Sequence, residues 1–189
     1  MNDLIFQTVN GFVEIDFNEW EAFSKHFEFR KYKKHDWLLK SGDMANDIYF
    51  INDGIVRVTI ADSEGGEHTV DFASEGQFIA DYASFLRQSK SNYGIQALSD
   101  VEIVVWSRST VDWGYLHLSM GEQLGRRLAE CYFLNHDNRI KAMYTLTLAE
   151  RFAQIETSFP GILTRVPQHM IASFLGVSPV HLSRLKKNK

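Results

Sequence analysis

The chemistry available to this chain is concentrated toward its carboxyl end. Residues 168–187 read QHMIASFLGVSPVHLSRLKK, a run rich in donors and cations with no carboxylate. Arg184 carries a planar guanidinium that can donate two hydrogen bonds to guanine O6 and N7 in a DNA major groove. Val180 can only touch a thymine methyl, whereas His181 and Ser183 can reach a base edge or a phosphate. Arg165, Gln168, His169, Lys186, Lys187 and Lys189 suit backbone phosphates, which set register and salt sensitivity but carry no base sequence. Ser178 and Pro179, in the middle of the same segment, complete the expected contact set.

Two crossed helices are needed to hold these groups outward. Ile171, Ala172, Leu175, Leu182 and Leu185 recur at the spacing such a pair needs, and the small Ala172 permits close approach. Gly176 takes the turn, because a residue without Cβ adopts positive φ at no steric cost. Ser178 can cap the second helix, and Pro179 fits its first position, where no N–H is required. A purely structural helical hairpin is the plain alternative.

Upstream, Thr147 and Glu150 form a capping box that opens a helix with Leu148, Phe152, Ile155 and Phe159 on its apolar face. Pro160-Gly161 stops that helix, and Ile162–Val166 is expected as a short strand, giving a winged helix-turn-helix order. Ser119 and Glu122 read as another capping box, opening a long helix to about Met143. Leu124, Leu128 and Cys131 follow one face of it, while Tyr132, Phe133 and Leu134 make its circumference apolar. Such a helix is buried on more than one side. Leu124, Leu128, Cys131 and Tyr132 are therefore candidate contacts with a second subunit, the alternative being a core helix of a monomer. Burial there would leave the Cys131 thiol inert.

Before Trp106 the pattern changes. Phe17, Trp20, Phe23 and Phe27 give one apolar face to short helical pieces within the first 35 residues. From Trp37 to Trp106 the chain alternates in short strands: Val56, Val58 and Ile60 against Arg57 and Thr59, then Val70 and Phe72, then Val101, Ile103 and Val105. Asp53-Gly54 is expected to turn a hairpin, and Gly65-Gly66 to mark the next reversal. Short strands at intervals of about ten residues indicate a jelly roll or sandwich.

The net charge of −4 conceals a division. No acidic residue follows Glu156, while the first 156 residues hold 15 basic side chains against 24 acidic ones. A cationic tail on an acidic body fits phosphate recognition confined to one end. One cysteine excludes an internal disulfide and a cysteine-held zinc or iron–sulfur site within the chain. No apolar run spans a bilayer and the first residues lack a secretory pattern, so a cytoplasmic protein without membrane contact is expected. No phosphate-binding glycine loop or nucleophile–base signature is present, and His68 is followed by Thr69-Val70 rather than a second ligand. Catalysis and a metal are not expected.

In order and spacing, several motifs resemble the Crp/Fnr family, that of the catabolite activator protein, across nearly the whole chain. They are Gly42-Asp43, Tyr49-Phe50-Ile51-Asn52-Asp53-Gly54-Ile55-Val56-Arg57-Val58, Glu75-Gly76-Gln77-Phe78, the long helix and the terminal helix-turn-helix. The resemblance implies an α+β chain: a cyclic-nucleotide-binding-like β-roll with flanking helices over 1–118, a dimerisation helix over 119–143, and a winged helix-turn-helix over 144–189. It further implies a homodimeric transcription regulator on near-palindromic double-stranded DNA, with RNA polymerase as a further partner. Effector-pocket candidates are Phe78, Ala80, Asp81, Tyr82, Lys90, Ser91 and Asn92. Here the chain departs from the family pattern. Ala80-Asp81 replaces a Gly-Glu pair that takes the ribose, and Lys90 replaces an Arg that forks onto the cyclic phosphate. Cyclic AMP is therefore not the expected effector and no cofactor is expected; a different small ligand, or none, stays open. An interaction module that has lost DNA binding and a β-roll enzyme are the rival readings.

Overall fold

The computed structural model describes residues 3–187, so Lys189 lies outside the described residues. The amino end forms α1 (Asp3–Phe12) and α2 (Phe17–Ser24). Asp16 caps α2 by accepting the Asn18 and Glu19 backbone N–H groups at 2.8 and 3.3 Å. Trp20 and Phe23 are buried on the expected face, but Phe17 stays half exposed. The helical pieces give way before residue 35 to a strand, β1 (Glu28–Tyr32).

Seven more strands follow: β2 (Trp37–Leu39), β3 (Asp47–Asp53), β4 (Ile55–Ala61), β5 (Glu67–Ser74), β6 (Phe78–Ile79), β7 (Tyr93–Ala97) and β8 (Val101–Ser107), with α3 (Tyr82–Arg87) between β6 and β7. They form two antiparallel four-stranded sheets, ordered β1-β8-β3-β6 and β2-β7-β4-β5. The inward residues of both, among them Tyr49, Ile51, Val56, Val58, Ile95 and Ile103, make the core of a β-roll. Gly65-Gly66 reverses β4 into β5 as expected, with the Asp62 carboxylate accepting from the Glu64 and Gly66 N–H groups.

Asp53-Gly54 does not turn a hairpin. Strands β3 and β4 lie in different sheets, and the pair is the corner where the chain crosses between them. Gly54 has φ +99°, and a Cβ there would meet the Asp100 carbonyl oxygen at 2.5 Å. The glycine serves a positive φ, as expected, but in a crossover, because β4 finds its partners in β5 and β7.

After β8 come α4 (Arg108–His117), the 25-residue α5 (Gly121–Thr145), α6 (Leu148–Ser158), α7 (Ile162–Arg165), α8 (Gln168–Phe174) and α9 (Pro179–Lys187). A second core joins α1, α2, α4 and the start of α5 to Phe50, Val104 and Trp106 on the roll. The Ser119–Glu122 capping box is absent. Met120 is the N-cap of α5, and Ser119 instead donates its N–H and hydroxyl to the Glu19 carboxylate on α2, both at 3.0 Å. The Thr147–Glu150 box is present in full. The strand expected at Ile162–Val166 is the helical turn α7. Ile162 and Val166 are both buried, a spacing of four that a helix satisfies, and Val166 N–H donates to the Ile162 carbonyl at 2.9 Å. Among the described residues no strand follows Ser107.

Candidate nucleic-acid interface

Helices α8 and α9 cross as a helix-turn-helix on a third apolar core. Ile171, Ala172, Leu175 and Leu182 are buried there against Phe152, Ile155, Phe159 and Ile162. The turn closes α8 through Gly176 at φ +71°, with Val177 N–H donating to the Ala172 carbonyl at 3.0 Å. Ser178 accepts the His181 N–H at 3.2 Å, and Pro179 opens α9 as the residue types require.

This packing turns Val180, His181, Ser183, Arg184, Lys186 and Lys187 outward, all exposed, with Gln168 and His169 exposed at the start of α8. Arg184, Lys186 and Lys187 occupy the last turn of α9, where cations complement the helix dipole. Arg165 stands apart from this surface group. It forks onto the Glu75 carboxylate of the β-roll, at 2.7 and 2.9 Å, so a guanidinium assigned to phosphate already has an anionic partner. The Arg165 hydrogen bonds hold the Glu75 carboxyl well below its ordinary value of 4.5, at about 2.

Three further contacts fasten the carboxy-terminal helices to the roll. Thr69 N–H donates to Ser173 Oγ at 2.9 Å, Gln77 Nε2 donates to the Ser158 carbonyl at 3.4 Å, and Ile55, Phe72 and Leu98 enter the third core. Arg139 on α5 lies 3.8 Å from Asp71 of β5 and sits over the Phe174 ring of α8 at 4.6 Å. None of these partners was legible in the sequence, since each joins positions tens of residues apart.

Of the effector-pocket candidates, Phe78, Ala80 and Tyr82 line one cleft of the roll, whereas Asp81, Lys90, Ser91 and Asn92 do not. Asp81 is buried as the N-cap of α3, accepting the Ser84 N–H at 3.1 Å and the Ser91 hydroxyl at 2.7 Å. Ser91 Oγ in turn accepts the Tyr93 N–H. Lys90 and Asn92 are exposed and are held through their backbones: Lys90 bridges Met44, and the Asn92 carbonyl accepts from Ser41. Phe78 packs on Phe50 and Trp106, beside the buried Ala80. Tyr82 meets Tyr132 of α5 with ring centroids 5.6 Å apart. Burial, with Asp71 and Asp81 nearby, pushes the Tyr132 hydroxyl up to about 12.

The dimer candidates on α5 lie on different sides of the helix. Leu124 is buried in the second core, and Leu128 and Tyr132 also face the roll. Cys131 is exposed rather than buried, so the expected shielding of its thiol does not hold within the single chain. The outward stripe is Phe133, Ile140 and Tyr144, with Leu134 and Met143 beside it, all exposed. Their three- to seven-residue spacings were legible, but the continuous apolar circumference hid which side faces out. Among the described residues no group of three His, Cys, Asp or Glu side chains is placed to hold a metal, and no helix is long and apolar enough to cross a membrane.

Residues 29–113 match the family model of the cyclic nucleotide-binding domain. The cAMP-activated global transcriptional regulator CRP of Pasteurella multocida (strain Pm70) is 27% identical over 183 residues, covering 89% of this chain and 85% of that protein. Among solved structures, the catabolite activator protein of Thermus thermophilus superposes with a TM-score of 0.60 at 17% identity, covering 94% of this chain and 84% of the other. FixK2 from Bradyrhizobium japonicum gives 0.69 at 17% identity, covering 86% and 83%.

Proposed function

The chain belongs to the Crp/Fnr family of transcription regulators, and from that premise we propose that it binds duplex DNA sequence-specifically as a homodimer, without cyclic AMP as its usual effector. The single observation that carries this reading is the outer face of α9. It is cationic and exposed, it is fixed by the buried Ile171, Ala172, Leu175 and Leu182 on either side of the turn, and no acidic residue follows Glu156. A dimer would offer two such helices to successive major grooves, reading half-sites about one turn apart. Arg184 reads guanine; Lys186 and Lys187 neutralise phosphates. Val180 offers no polar group, so the operator differs from one read by a charged residue there.

The dimer contact is assigned to the outward stripe of α5, Phe133, Ile140 and Tyr144, because solvent-facing aromatics on one helix line are an unpaired seam. The P. multocida relative is named for activation by cAMP. In this chain the acid that would take the ribose is engaged by Ser84 and Ser91, and the cation that would take the phosphate points into solvent. Selection of bound sites from random duplex DNA, with and without cyclic nucleotides, tests docking and effector together. A near-palindromic motif that is unchanged by nucleotide is the expected result. Recovery of no motif, or of one only with cyclic AMP, contradicts the corresponding half of the proposal.

A further inference from the structure

A cleft of about 540 Å³ opens between β5 and β6 of the roll, the inner face of α5, and helices α6 and α8. Phe72, Phe78 and Phe174 give it apolar walls. Two guanidinium groups line it, and they are placed differently. Arg139 faces Asp71 at 3.8 Å and covers the Phe174 ring, so its charge is balanced locally. Arg151 donates Nη1 to the Leu175 carbonyl at 2.9 Å, while its Nε is shielded from solvent without an acceptor. Among the described residues no carboxylate pairs with it.

A shielded donor of a charged group, left without a partner, is costly unless something else satisfies it. The volume falls in the range of small-molecule sites, and the mix of aromatic wall and one unbalanced cation is what such sites use to orient a ligand. We propose that this cleft binds a small organic carboxylic acid, its carboxylate paired with Arg151 and its apolar body against Phe72, Phe78 and Phe174. One net positive charge matches one carboxylate. A nucleotide would bring sugar hydroxyls that these walls leave unsatisfied. An occupant touches both the roll and the helix-turn-helix, and its binding is measurable whether or not the chain binds DNA.

Titration calorimetry of the full chain with 4-phenylbutyrate, 4-phenylbutyramide, cyclic AMP and inorganic phosphate tests the assignment. The acid is expected to bind at least about tenfold more tightly than the amide, the difference a charge-assisted hydrogen bond supplies. Arg151→Gln should remove that difference and Arg151→Lys restore part of it. Since Arg151 also holds the Leu175 carbonyl, Ala142→Trp gives an independent arm, filling the cleft from α5 and abolishing binding while circular dichroism stays unchanged. Equal binding of acid and amide, no binding at millimolar acid, acid binding that survives Ala142→Trp, or displacement of the acid by cyclic AMP would each overturn the proposal.

Discussion

At Arg184 the guanidinium stands on the outer face of α9 with no ion-pair partner among the described residues, whereas at Arg165 the same group is engaged by Glu75. The two arginines therefore make different predictions. Arg184→Ala should cost about 1–3 kcal/mol of specific DNA binding and relax preference at one operator position. A binding-selection experiment reads both, and unchanged affinity with unchanged preference rejects the role. Arg165 instead links the carboxy-terminal helices to the roll through an acid whose folded pKa is depressed to about 2. Such an acid stabilises the fold fully above its unfolded value, near 4.5, and loses that contribution as pH falls through the folded value. Glu75→Gln should thus lower the urea midpoint at neutral pH, and the gap to the unsubstituted chain should close between about pH 4.5 and pH 2. A gap that is constant across that window would show that the pair does not hold the two units together.

The elements differ in how much of them is local, and this decides what could be read from sequence. The helix-turn-helix is written in neighbours: Ala172, Gly176, Ser178 and Leu182 each act within a few residues, and each does in the structure what its type requires. The Thr147–Glu150 box is equally local. Asp53-Gly54 has the residues of a hairpin turn, but strand partners are chosen by the whole sheet, and the pair became a corner. Gly54→Ala tests that corner. With φ +99° and a backbone oxygen 2.5 Å from the added Cβ, it should destabilise the fold by about 2 kcal/mol or more, read by urea unfolding. A change within error would mean the corner relaxes freely. Ser119 likewise had a local partner in Glu122, yet bonds Glu19, about a hundred residues away. On α5 the outward stripe is what a partner would cover. Ile140→Glu, a charge placed on the exposed seam, should shift the chain to monomer in light scattering while leaving its helix content intact. An undisturbed dimer would move the interface elsewhere.

Across the whole molecule the charge division sets the physics of the encounter. The segment after Glu156 carries every cation assigned to DNA and no acid, while the body before it is strongly acidic. The helix-turn-helix is not loosely attached: Phe72, Ile55 and Leu98 share its core, and Thr69 and Glu75 bond to it directly. The orientation of α9 is therefore set by the roll as well as by α5, and a ligand in the cleft between them would act on that orientation. A body repelled by phosphate and a tail attracted to it should confine docking to one face.

The most direct measurement is a titration of the full chain against duplex DNA across a series of salt concentrations, with the mass of the complex followed by light scattering. Two chains should occupy one duplex, with affinity strong in dilute buffer and falling linearly on a log–log plot as counterions are displaced from phosphates held by Lys186 and Lys187 of each chain. A chain that stays single and leaves the duplex unbound even at the lowest ionic strength would contradict the account at its root.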